Sequence, residues 1–321
     1  MFELKFFQSQ SLVVGALILV VVSCDNGDGI VTLPDQENDR VQITNSEGLL
    51  QARVTYPGTA VTIDPPPQGS FPANVLLGPE RAKPGGFSLS LEAEVAPPLV
   101  DGQIVQATSV SLEIGFKAMV SYNMRGGPRL GGMDWITRLN SSPRISSSAT
   151  FNDSDISAVS FDGTHAYAAE ATNAQDFPFP AVLERLKLEG NNFTLEQNLR
   201  VPLTSYVATS TLVTSNHVYT TSGDGGHVAG FDQSSLTLQG EYPLDDARWV
   251  AWDQAGQRIV VAQGTPGRIA VFAEGEFPGG SMNLLNTFPF PGADVPESKS
   301  TVEIAGGKAF IAAGPDGVQV V

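Results

Sequence analysis

Five short segments repeat one pattern along the chain, and their spacing restricts the fold more than any other feature. They are Lys117-Ala118-Met119-Val120-Ser121, His165-Ala166-Tyr167-Ala168-Ala169, His217-Val218-Tyr219-Thr220-Thr221, Arg258-Ile259-Val260-Val261-Ala262 and Lys308-Ala309-Phe310-Ile311-Ala312. Each runs from a basic side chain through a small or branched apolar residue and a large apolar one to two small or β-branched residues. Their first positions lie 48, 52, 41 and 50 residues apart. Turn signals such as Asp162-Gly163-Thr164 and Gly306-Gly307 precede them, and strand-like runs such as 156–161 and 301–304 precede the turns. The unit is therefore a β-hairpin. A Gly- or Pro-bearing loop and a third apolar strand follow, at 133–136, 182–186, 228–231, 269–272 and 318–321. The first four units add a fourth strand, at 144–151, 193–201, 236–242 and 282–288.

Four antiparallel strands at this period predict an all-β fold, a β-propeller of four-stranded antiparallel blades. One such sheet cannot bury both faces without neighbours. The profile of 33 Gly and 22 Pro, with 41% hydrophobic and only 16% charged residues, suits many short strands better than helices. Five blades are expected, or six if another lies between Leu49 and Leu77. The fifth unit stops after its third strand, and a spare strand at Phe87 to Val95 precedes the first unit. That N-terminal strand is expected to complete the last blade and close the ring, removing exposed sheet edges.

The chain divides into residues 1–23, 24–85 and 86–321. Residues 12–22 form an apolar run of eleven residues that fits a signal-peptide core and falls short of the about 20 needed to span a bilayer. The junction Val21-Val22-Ser23-Cys24 resembles the bacterial lipobox, with Val where Leu is commonest. The resemblance implies that Cys24, the single cysteine of the chain, is lipidated and becomes the mature N-terminus. Asp25 resembles the inner-membrane retention signal of some Gram-negative bacteria, a rule that varies among lineages, so inner and outer membrane both remain open. Residues 24–85, with Asp25-Asn26-Gly27-Asp28-Gly29, Asp64-Pro65-Pro66-Pro67 and Lys83-Pro84-Gly85-Gly86, are expected to form an acidic, Pro-rich tether with room for one hairpin.

The terminal segment Lys308-Ala309-Phe310-Ile311-Ala312-Ala313-Gly314-Pro315-Asp316-Gly317-Val318-Gln319-Val320-Val321 resembles the LVIVD repeat of bacterial surface propellers. The likeness covers roughly residues 86–321 and is looser in the earlier units, with an expanded loop at Arg125 to Gly132. It implies a propeller and an envelope location, and it brings no catalytic motif with it.

The search for linear catalytic signatures finds none. His165 and His217 occupy the position of Lys117, Arg258 and Lys308 in sister units and are expected to be turn-flanking polar residues. His227 matches Arg268 of the next unit and has no neighbouring ligand at metal spacing. There is no Gly-x-Ser-x-Gly elbow, no His-Glu-x-x-His pair and no phosphate loop. The aromatics Tyr167, Tyr219, Trp249, Trp252 and Phe310 are expected in the core. A net charge of −16, from 34 acidic and 18 basic residues, argues against a nucleic-acid partner.

Carboxylates are more informative. The loops leading into the inner strands, and those between second and third strands, emerge on one propeller face and carry Asp101, Asp153, Asp155, Asp176, Asp224, Asp245, Asp246, Asp294, Glu297 and Asp316. Plain solvation is the simpler account. The sharper one is a ligand or cation face at Asp153, Asp155, Asp245 and Asp246, suited to Ca²⁺ or a basic partner. The leading functional expectation is a membrane-anchored, non-enzymatic module that binds a protein, peptide or glycan. The alternative is a metal-dependent propeller hydrolase or lactonase using channel carboxylates.

The lipobox reading is checked by intact mass and membrane partition. The wild type is expected to carry acyl mass on Cys24 and to fractionate with membranes, and Cys24→Ala to lose both. Unchanged partition and mature mass in that variant overturns it.

Overall fold

The computed structural model describes residues 33–61, 89–113, 115–292 and 299–321. Cys24, the Pro-rich segments at 64–67 and 83–86, Phe87, Asp294 and Glu297 lie outside the described residues. The leading elements are β1 (Gln36–Glu37), β2 (Val41–Thr44), α1 (Glu47–Gln51), β3 (Val54–Thr55), β4 (Thr59–Val61), β5 (Leu89–Leu91), β6 (Glu94–Val95), β7 (Leu99–Val100) and β8 (Gln103–Ile104). The first blade consists of β9 (Gln106–Glu113), β10 (Lys117–Asn123), β11 (Gly131–Thr137) and β12 (Arg144–Phe151). The second has β13 (Ser154–Phe161), β14 (His165–Thr172), β15 (Ala181–Glu189) and β16 (Asn192–Pro202). The third has β17 (Ala208–Val213), β18 (His217–Ser222), β19 (His227–Asp232) and β20 (Leu238–Pro243). The fourth has β21 (Ala247–Asp253), β22 (Arg258–Gln263), β23 (Arg268–Ala273) and β24 (Leu284–Pro289). A fifth sheet has three strands, β25 (Val302–Ala305), β26 (Lys308–Ala312) and β27 (Val318–Val320). Within each sheet these strands pair in chain order and antiparallel, which is the all-β propeller arrangement expected from the repeat.

Burial along the strands shows why the sheets stack. The second and third strands of the first four blades are buried on both faces, as in β11 and β18, so they read as near-continuous runs of small and apolar residues. Fourth strands such as β20 are largely exposed. Each junction between successive sheets has its own apolar core. Trp135, Met119 and Met133 meet Ile156, Leu186 and Phe193 between the first two blades. Tyr167 and Leu183 meet Val218 and Phe231 at the next junction, and Tyr219 and Val228 meet Val250 and Phe272 at the third. Val260 and Val271 meet Val302 and Ile311 between the fourth blade and the fifth sheet. Phe310 departs from the expected core role, because it is 38% exposed on the far side of that sheet.

Two expectations about the N-terminal part are corrected. The strands within Phe87 to Val95 do not complete the last blade. β5 pairs with β4 and β6 pairs with β3. Leu50, Val54 and Val100 instead pack on Tyr122, Ile136 and Ile145, covering the face of the first blade that no earlier blade covers. The described part of residues 24–85 is also no free tether. β2 pairs with β12 and β1 with β2, extending the first blade to six strands.

Two arginines fasten this segment through charge. Arg53 pairs with the fully buried Asp134, which also accepts from the Tyr122 hydroxyl at 2.8 Å. Arg40 reaches the second blade, 2.8 Å from both Asp153 Oδ2 and Glu184 Oε2. There Arg200 joins, 3.2 Å from Glu184 and 3.7 Å from Glu170, and the Phe177 ring covers its guanidinium at 4.9 Å. Two guanidinium groups thus face three carboxylates. The surplus falls on Glu170, where complete burial and the neighbouring Glu184 hold the carboxyl well above its usual range.

A group whose folded pKa is raised stabilises fully below its unfolded value, here 4.5, and loses that contribution as pH rises through the folded value. Glu170→Gln is therefore expected to leave the melting temperature unchanged near pH 4 and to raise it by at least about 2 °C at pH 7.5. Arg200→Met, which strands buried carboxylates, is expected to destabilise by about 3–5 kcal/mol. Thermal melts of the three proteins across that pH range check both outcomes.

Candidate active site at the channel mouth

The innermost strands β9, β13, β17, β21 and β25 pack against one another in succession. In the first four, one residue more than the partner strand offers is inserted at the same place, giving β-bulges at Thr108, Ser157, Thr209 and Arg248. A bulge frees its residue from the ladder and re-aims the side chain. Thr108 Oγ1 donates to Ile156 O at 2.7 Å, and Thr209 Oγ1 donates to Ala247 O at 2.7 Å. In each case the acceptor belongs to the residue just before the next blade's bulge. Arg248 continues the series, with Nη1 3.4 Å from Ser300 Oγ while Nε and Nη2 grip Asp246 at 2.9 and 2.7 Å.

Lys299 reaches across this collar. Its Nζ donates to Thr108 O at 2.8 Å and to Ser157 O at 3.0 Å, so a residue leading into the fifth sheet is tied to the inner strands of the first two blades. The residue as a whole is exposed, yet crowding around the ammonium holds its pKa below the ordinary lysine value. An ammonium has three N–H donors. The described partners take two.

Asp155 stands two residues from Ser157 on β13, about 6–7 Å along the strand. Its Oδ1 accepts from the Met124 N–H at 3.3 Å, in the loop between β10 and β11. Burial pushes the carboxyl up to about 6, against the pull of the Met124 N–H and the Arg129 charge. Arg129 is anchored by donation to Thr172 O.

The four carboxylates expected to share a face each have partners of their own. Asp153 belongs to the ion network with Arg40 and Arg200, and Asp155 to the channel mouth. Asp245 accepts from the Gly225 N–H at 2.6 Å, and Asp246 is held by Arg248. The loops do emerge together as the repeat implies, since Met124 reaches Asp155 and Gly225 reaches Asp245. Among the described residues, no three His, Cys, Asp or Glu side chains gather in a way that could hold a metal ion. His165 and His217 sit at the start of β14 and β18, bonded to Asp162 and to Glu274 at 3.3 and 2.9 Å. His227 has a buried Nδ1 with no partner. Neither Lys299 nor the bulge residues stood out in the sequence. The recurring polar residue inside each inner strand, at 108, 157, 209 and 248, is the signal that marks them.

No family model matches the chain, and no curated protein matches it in sequence. Solved structures do. The periplasmic gluconolactonase PpgL of Pseudomonas aeruginosa aligns with a TM-score of 0.47 at 14% identity, over 63% of this chain and 63% of that one. Hsv2 of Kluyvelomyces marxianus aligns at 0.46 and 16% identity, over 71% of this chain and 66% of that one. A Bacteroides uniformis protein described as a "putative 6-phosphogluconolactonase" aligns at 0.50 and 10% identity, over 73% of this chain and 84% of that one. The chain thus spans about two thirds of the first two. The third likeness shows a shared fold. It also corrects the leading expectation of a non-enzymatic module, which rested on the anchor, the spacer and the absence of linear catalytic motifs. A protein of this fold that is described as a lactonase removes the force of that absence.

Proposed function

We propose that the protein is a propeller hydrolase of the lactonase type, opening a cyclic ester at the channel mouth. The observation that carries this reading is the Lys299 ammonium, fixed by two inner-strand carbonyls, Thr108 O on β9 and Ser157 O on β13, the strand that bears Asp155. Asp155 acts as general base, taking a proton from water as the water oxygen bonds to the lactone carbonyl carbon. The remaining Lys299 N–H stabilises the oxyanion. When the tetrahedral species collapses, the ring C–O bond breaks and the proton passes to the departing alkoxide, giving a hydroxy acid. Arg129, whose charge acts on Asp155, supplies positive charge for an anionic substituent. A carboxyl titrating near 6 supports the assignment of the base.

No step is routed through a metal, because Asp153, Asp245 and Asp246 already engage partners within the chain. With the lipid anchor expected at Cys24, the hydrolase would work at the bacterial envelope. The lactonase descriptions of two of the neighbours suggest glucono-δ-lactone and its 6-phosphate as first substrates.

Hydrolysis is followed by proton release in weak buffer, corrected for the spontaneous rate. The wild type is expected to accelerate ring opening, with an acid limb near pH 6 as Asp155 loses its proton and a basic limb below the ordinary lysine range. Asp155→Asn is expected to lower kcat by about 10²–10⁴. Lys299→Met is expected to lower it about 10²-fold or more. EDTA is expected to leave the rate unchanged. A wild type inert toward a panel of sugar lactones, or full activity in Asp155→Asn, overturns the proposal.

A further inference from the structure

Apolar cores close the junctions from the first blade through to the fifth sheet, each joining one sheet to the next. Among the described residues no such core joins the fifth sheet back to the first blade. The faces that border this last junction keep apolar side chains in solvent. On the fifth sheet Phe310 pairs with Val320 and Ala312 with Val318, on the side turned away from the core that holds Ile311. Phe310, Val318 and Val320 are all exposed. On the first blade Val110 pairs with Val120 and Leu112 with Ala118, so both lie on the face that α1 and its neighbours cover further out. That cover does not reach them, and they stay 58% and 77% exposed.

The tie across this junction is polar. Lys299, just ahead of β25, donates from Nζ to Thr108 O on β9 at 2.8 Å and to Ser157 O on β13 at 3.0 Å. One ammonium thus holds the first two blades to the start of the fifth sheet. No ladder crosses here, since β25, β26 and β27 pair with one another and share no sheet with a strand of the first blade. Hydrogen bonds from a charged donor exceed neutral ones, yet two of them hold far less than a core of many buried side chains. The ring therefore has one weak junction, and thermal opening concentrates where the fewest buried contacts must break.

We infer that this junction is a seam clasped by Lys299, along which the fifth sheet parts from the first blade and opens the channel at one side while the other junctions stay packed. The moving part is the fifth sheet with its leading residue, and the core it shares with the fourth blade is the hinge. Opening exposes little new apolar surface, because Val110, Leu112, Phe310, Val318 and Val320 already face solvent. The inference stands on the clasp and the two bare faces, and not on the hydrolytic reading of the mouth.

Distances between paired spin labels read the seam in the full chain, with Cys24→Ala removing the native thiol. One pair, Leu112→Cys with Val318→Cys, flanks the seam at two exposed positions. A second pair, Leu238→Cys with Leu285→Cys, is also exposed and spans the packed junction between the third and fourth blades. With Lys299 in place the seam pair is expected to populate mainly its shorter distance. Lys299→Met is expected to raise the ratio of longer to shorter distances by at least about tenfold, the factor set by losing hydrogen bonds to a charged donor. Lys299→Arg, which keeps a charged donor, is expected to stay near the wild-type ratio. The second pair is expected to give one unchanged distance in all three proteins. An unchanged seam distribution in Lys299→Met, or a Lys299→Arg protein as open as Lys299→Met, overturns the inference. So does a change that appears equally in the second pair, which marks a general loosening of the fold.

Discussion

A four-stranded sheet with two apolar faces is unstable alone, and most of this structure follows from finding a cover for each face. Between successive sheets the cover is the next sheet. For this reason β11 and β18 are buried along their whole length while β20 stays largely open to water. The first blade has no predecessor in the described chain. Its free face is closed by α1 and the short strands around it, through Leu50, Val54 and Val100. The far face of the fifth sheet keeps Val318 at 67% and Val320 at 50% exposure. The two ends of the series are therefore finished by different means.

Charge plays a supporting role that composition conceals. A net charge of −16 suggests carboxylates spread in solvent. Several of the most consequential ones are instead buried, with Asp134, Glu170 and Glu184 fully withdrawn and answered by Arg40, Arg53 and Arg200. Two of those arginines come from the N-terminal segment. Buried pairs contribute little net stability relative to an apolar replacement, yet removing one partner is severe. They therefore fix the place and register of that segment on the blades more than they add to the stability of the whole.

The repeat was legible because its cause is local. Hairpin turns and the basic-apolar-aromatic pattern lie within a few residues of each other, so second and third strands could be read almost to their ends. The N-terminal cover was not legible for the opposite reason. Its strands are only two to four residues long, and their partners lie far along the chain, as when Val41 meets Phe151. The acidic loops are visible in the sequence, but their charge partners are not. Nothing near Asp153 announces Arg40, 113 residues away. The channel collar failed to register because the recurring polar residue is a single Thr, Ser or Arg within each inner strand, and its meaning depends on a bulge that only the paired ladder shows.

That bulge also separates two kinds of selection on the inner strands. Beyond it, residues such as Ala158, Val250 and Ala251 are committed to inter-blade cores, where a change of one methylene is felt. At the bulge itself the side chain is released from the ladder, and the four positions hold Thr, Ser, Thr and Arg on otherwise equivalent strands. The chemistry of the collar can thus be rewritten one blade at a time without repacking the walls that hold it. The scaffold keeps four interchangeable sockets on its inner strands.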